Sequence, residues 1–146
     1  MTDMTVKTPW HLWVVGVAAV LFNAIGPYDY VRTMLEGAAY LASAGLTPPQ
    51  IAYYETLPVW VHAVWAVGVW AAIAGAVLLL LRRKLAMPVF AVSLCAFALN
   101  MLHTYALSEG GRIMGQRMMT TNVLIAAVLA FLIWYSWMMG RKGVLR

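Results

Sequence analysis

Charge is scarce in this sequence, and recognisable chemistry scarcer still. Only 10% of the 146 residues are Asp, Glu, Lys or Arg, whereas 64% are hydrophobic, a balance far from that of soluble domains. The 5 acidic residues are too scattered to suggest a carboxylate pair for acid–base work. No G-x-S-x-G, no H-E-x-x-H and no phosphate-cradling glycine loop occurs, so a non-enzymatic role is expected. There is 1 cysteine, Cys95, which excludes an intramolecular disulfide; lying mid-way along an apolar stretch, it reads as a small packing residue. Internal repeats are missing too, which argues against an inverted-repeat transporter. The net charge of +5 does not point to nucleic acid, because the basic residues stand beside apolar stretches, where orientation signals and anionic head groups account for them.

What the sequence does have is four apolar stretches of about the 20 residues that a helical crossing of a bilayer needs. They cover roughly residues 10–26, 58–81, 85–107 and 118–139, and together they use most of the chain. The expected fold is all-α: an integral membrane four-helix bundle, residues 1–146 forming one transmembrane domain. A cleaved signal peptide is the rival reading of the first stretch, but the segment before it has one lysine and an aspartate, and Trp10, His11 and Trp13 suit a membrane interface; a retained helix is expected. Gly26-Pro27 is expected to end that helix.

Between Tyr28 and Leu57, Val31, Met34, Leu35, Ala38 and Leu41 recur at helical spacing opposite Arg32, Glu36 and Tyr40, which predicts a short amphipathic helix at the membrane surface. Gly45 supplies a stop. Thr47-Pro48-Pro49-Gln50 then offers an N-cap, a proline at the first helical position and the glutamine of a capping box, predicting a second short helix. The tight turn at Arg82-Arg83-Lys84 makes the second and third crossings an antiparallel hairpin, and Ser108 to Arg117 is expected to be a loop. Lys7, Arg82, Arg83, Lys84, Arg141, Lys142 and Arg146 fall on one side, against Arg32, Arg112 and Arg117 on the other. By the positive-inside rule this puts both termini in the cytoplasm of a bacterial inner membrane and the long segment outside. Trp10, Trp13, Trp134, Tyr135 and Trp137 are expected at the inner interface, and Tyr53, Tyr54, Trp60 and Tyr105 at the outer one.

Polar groups inside a membrane are costly and normally face a bundle interior. Asn23, His62, Asn100, His103 and Asn122 all fall within about two turns of the outer surface, and Asp29 follows Gly26-Pro27-Tyr28 close by. Asp29 is expected to cap a helix or reach an arginine. Gly16, Ala19, Asn23 and Gly26 share one helical stripe, and Ser93, Ala96, Asn100 and His103 another. Two readings fit: packing seams with asparagine as interhelical glue, or a small polar cavity opening outward under the Tyr28–Leu57 segment. Gly68, Ala71, Ala72 and Gly75 form a further small-residue face, an association surface within the bundle or between protomers. His62 and His103 lie on hairpin neighbours, and paired imidazoles are a way to hold haem b or a metal ion. Met101, Met114, Met118 and Met119 match no copper motif and read as apolar filler.

Phe22-Asn23-Ala24 with Gly26 and Asp29-Tyr30-Val31, Pro58-x-Trp60, Trp65-Ala66-x-Gly68-Val69-Trp70, Leu79-Leu80-Leu81-Arg82-Arg83 and the closing Gly143-Val144-Leu145-Arg146 carry a resemblance over nearly the whole chain. It resembles a family of small four-helix bacterial inner-membrane proteins of unknown function, some labelled "sugar transporter" without a mechanism. The resemblance implies the bundle and its membrane, and carries over no binding residue, His62 and His103 included. The leading expectation is an accessory or small-molecule-binding component in contact with the bilayer, assembling as a homo-oligomer or within a larger complex, with no cofactor. The alternatives are a small oligomeric transporter or channel with its site near the outer surface, and a haem- or metal-binding protein using His62 and His103.

Overall fold

The computed structural model describes residues 6–146, which form helices and no strands. Four spans among these residues are long and apolar enough to cross a membrane: Trp10–Glu36, Val59–Leu80, Ala86–Leu107 and Gly110–Arg141. The elements are α1 (Trp10–Asn23), α2 (Ile25–Glu36), α3 (Ala38–Ser43), α4 (Pro48–Glu55), α5 (Val59–Leu80), α6 (Ala86–Leu102), a π-helical turn at His103–Leu107, and α7 (Gly110–Arg141).

Gly26-Pro27 does not end the first span, contrary to expectation. Pro27 lacks the N–H that would reach the Asn23 carbonyl, but the ladder resumes at once: Ala24 donates to Val20 at 2.9 Å and Tyr28 to Ala24 at 3.2 Å. One missing bond interrupts the pattern at Ala24, and α2 carries the span on to Glu36. The chain breaks only at Gly37, whose φ of +57° ends α2. The segment expected as a loop at Ser108–Arg117 is mostly helix; α7 starts at Gly110, and its irregularity is confined to Gly115 (φ +76°, ψ −176°). The two signals after α3 hold: Gly45 has φ +91°, and Gln50 Oε1 accepts from the Thr47 N–H at 3.0 Å at the start of α4.

Small residues set the helix spacing. A Cβ added at Gly16 of α1 would collide with Leu80 Cδ2, and one at Gly26 of α2 would fall 2.9 Å from Val69 Cγ1, both on α5. On α5, one at Gly75 would fall 2.8 Å from Phe90 Cδ1 of α6, and Ser93 of α6 donates to the Gly68 carbonyl at 2.7 Å. The α5 face therefore packs within the chain. The interhelical bond of this seam comes from serine; Asn23 instead donates to Ala19 of its own helix at 2.8 Å.

The core occupies the basic end of the bundle, where Leu12, Leu79, Phe90, Leu132, Tyr135 and Met139 are buried. Tyr135 faces inward rather than the interface and hydrogen-bonds His11 Nδ1 across 2.6 Å, tying the start of α1 to the end of α7. Trp10, Trp13, Trp134 and Trp137 are exposed, as interfacial residues are. Cys95 is also exposed on the outer face of α6, so it is not a core packing residue.

The last residues are locked in place. Arg82 adopts φ +58° and closes α5, its N–H donating to Leu79 at 3.0 Å and the Arg83 N–H to Leu78 at 2.9 Å. Gly143 (φ +73°) closes α7 in the same way, with Gly143 donating to Gly140 at 3.2 Å and Val144 to Met139 at 3.0 Å. The two closures then join: Arg146 N–H donates to Arg82 at 2.7 Å, and Lys84 N–H to Arg146 at 2.8 Å.

Candidate functional site

At the end opposite this core the bundle is hollow. α1 packs on α5, α5 on α6 and α6 on α7, but no substantial backbone packing joins α1 to α7. These two helices meet through His11 and Tyr135 at the basic end and leave a cavity of about 460 Å³ toward the other. Asn23, Asp29, Asn100 and Asn122 all line it. Most of the remaining wall is apolar, from Phe22, Val69, Phe97, Met118 and Ile125 among others. Ile25 of α2, which continues the span of α1, and Leu124 of α7 both line the cavity and are 57% and 56% exposed, so the space opens sideways between the helices.

α4 roofs the cavity. Tyr53 and Tyr54 of α4 line it, Tyr53 Oη bonding Ser108 Oγ at 2.9 Å, while Gln50 Nε2 donates to the Ile113 carbonyl of α7 at 3.3 Å. Burial pushes the Tyr54 phenol above its ordinary range, with Tyr53 and the Asp29 carboxylate adding to the shift. Trp65 of α5 completes this aromatic wall, its ring 6.3 Å from that of Tyr54 and 5.0 Å from that of Tyr30. On the sequence alone Tyr53 and Tyr54 are expected at the outer interface, and no role is assigned to Trp65 or Tyr30.

Asp29 neither caps a helix nor reaches an arginine. It sits inside α2, where its Oδ1 accepts from Tyr40 Oη of α3. This contact, with desolvation and the negative charge of Asp29, pushes the Tyr40 phenol up to about 12. Arg32 turns instead to Glu36 at 2.8 Å. The Asn100 Oδ1 is buried with no hydrogen-bond partner, a state that costs roughly 1–3 kcal/mol and that a donor in the cavity would relieve. Asn122 Nδ2 donates to Tyr105 Oη of the π-helical turn at 3.3 Å.

His62 and His103 are not among the lining residues. His103 is buried edge-on to Trp60, ring centroids 5.4 Å apart, whereas His62 lies 6.4 Å from Trp65. Trp60 and His62 are two residues apart on α5 and so project about 200° from one another, which gives each imidazole its own tryptophan. Among the described residues no three His, Cys, Asp or Glu side chains gather as a metal-binding group. No family model matches the chain, and neither a curated protein nor a solved structure does.

Proposed function

We propose that this is a bacterial inner-membrane protein, both termini cytoplasmic, that binds a small amphipathic molecule drawn sideways from the bilayer into the cavity between α1 and α7. The observation that carries the reading is the cavity itself. Its volume of about 460 Å³ falls in the range of small-molecule sites, its wall is mainly apolar, and Asn23, Asp29, Asn100 and Asn122 add polar side chains to it. A molecule with an apolar body and one polar end matches that lining, and the exposed Ile25 and Leu124 flank its way in. The basic residues at the Arg82–Lys84 end support the orientation, and the family resemblance supports the membrane.

Native mass spectrometry of protein purified in mild detergent tests this. One amphiphile is expected to stay with each chain and to be lost in Thr121→Trp, which places a bulky ring where exposed Thr121 lines the cavity. Equal retention in both proteins contradicts the assignment of the ligand to this cavity.

A further inference from the structure

Among the described residues, Asp29 is the only Asp, Glu, Lys, Arg or His that lines the cavity. Its Oδ1 accepts from Tyr40, and among the described residues no basic side chain forms an ion pair with it. Arg32, one turn further along α2, is committed elsewhere: Nη2 donates to Glu36 at 2.8 Å and Nη1 to Tyr28 Oη at 2.6 Å, and the guanidinium lies 5.0 Å from the Tyr40 ring centroid. Asp29 and Glu36 thus set two negative charges against the single positive charge of Arg32. Near the start of α7 Arg112 is held by Glu109 at 2.8 Å, and neither Arg112 nor Arg117 is a lining residue.

The wall that shares this end with Asp29 is aromatic, made by Tyr53, Tyr54 and Trp65. Ring faces carry negative electrostatic potential and attract cations within about 6 Å of the ring centroid. A carboxylate without a counter-ion in an apolar cavity is poorly solvated, and a cationic guest relieves that while an anion meets repulsion. We infer that the cavity selects a lipophilic cation, an amine or quaternary onium with an apolar body, whose charge sits between Asp29 and the Tyr53–Tyr54–Trp65 wall. This rests on the cavity being the ligand site proposed above.

Binding is measured in nanodiscs of zwitterionic lipid with three probes: tetraphenylphosphonium, tetraphenylborate of the same shape and opposite charge, and the neutral N-phenylnaphthylamine. Lipid partitioning is removed by comparing wild type and variants in identical discs. The expected result is that Asp29→Asn weakens tetraphenylphosphonium about tenfold or more, leaves the neutral probe unchanged and does not weaken tetraphenylborate, while Asp29→Glu keeps the cation. If Asp29→Asn holds both the neutral probe and the cation as wild type does, charge selection is overturned and the cavity reading stands. If wild type binds none of the probes, the cavity reading falls and takes the inference with it. Should Asp29→Asn lose the neutral probe through misfolding, Asp29→Glu and Trp65→Leu decide. Cation binding kept in the first and selectively lost in the second supports the inference, and the converse overturns it.

Discussion

The hydroxyl of Ser93 on α6 donates to the backbone carbonyl of Gly68 on α5 at 2.7 Å, with Gly68 so close to its neighbour that an added Cβ would touch Ala96 Cβ at 3.4 Å. The absence of a side chain at Gly68 is what brings its carbonyl within reach. Ser93→Ala should lower stability in detergent by about 0.6 kcal/mol, the average for interhelical hydrogen bonds in membranes. Unfolding in a graded denaturing detergent measures it, and an unchanged midpoint counts against the bond.

Further down the same seam Gly75 meets the ring of fully buried Phe90, and a methyl there would lie 2.8 Å from Cδ1. An aromatic ring wedged in the core has little room to retreat. Gly75→Ala is therefore expected to destabilise by about 1–3 kcal/mol, as overpacking does, although alanine is the better helix former. A stabilised Gly75→Ala protein would show that the helices part readily.

The C-terminal residues are expected to matter more than their number suggests. Leu145 is 1% exposed and Val144 3%, held by the Arg146–Arg82 and Lys84–Arg146 hydrogen bonds. Leu145→Ala should cost about 2–5 kcal/mol, like other large-to-small core changes, whereas Lys142→Ala on the exposed surface should cost little. Thermal unfolding of the two variants side by side checks this.

Tyr40 supplies a pH dependence. Its hydrogen bond to Asp29 favours the neutral phenol in the folded protein and lifts its ionisation from 10.0 to about 12. The stabilisation it contributes is whole below pH 10.0 and is lost as pH rises through about 12. The phenolate absorbance of wild type minus that of Tyr40→Phe should titrate near the upper value. Asp29→Asn should bring it back toward the lower one.

What could be read from the sequence follows from how local each cause is. The crossings depend on length and apolarity, so α5 and the α6 span match closely; the turn at Gly45 and the start of α4 depend on a few adjacent residues, and those match as well. Pro27 misled because one missing hydrogen bond does not stop a helix whose neighbours hold it on both sides. Asn23, His62, Asn100, His103 and Asn122 could be placed at similar depth from the sequence, with Asp29 close by; of these the three asparagines and Asp29 line one cavity and the two histidines do not. That α1 and α7 separate there, that Tyr53, Tyr54 and Trp65 close the same space, and that the two histidines turn to different tryptophans depend on helix rotation and packing across the chain, which no single segment encodes.

The most direct measurement of the account is photo-crosslinking in the bilayer with a single-chain amphiphile carrying a diazirine on its alkyl tail, followed by mapping of the adducts. Adducts on the cavity-lining Phe97, Met118 and Ile125, lost when Thr121→Trp obstructs the opening, are the predicted result. Labelling confined to the outward faces, at Trp70, Val92 and Leu99, and indifferent to Thr121→Trp, would contradict it.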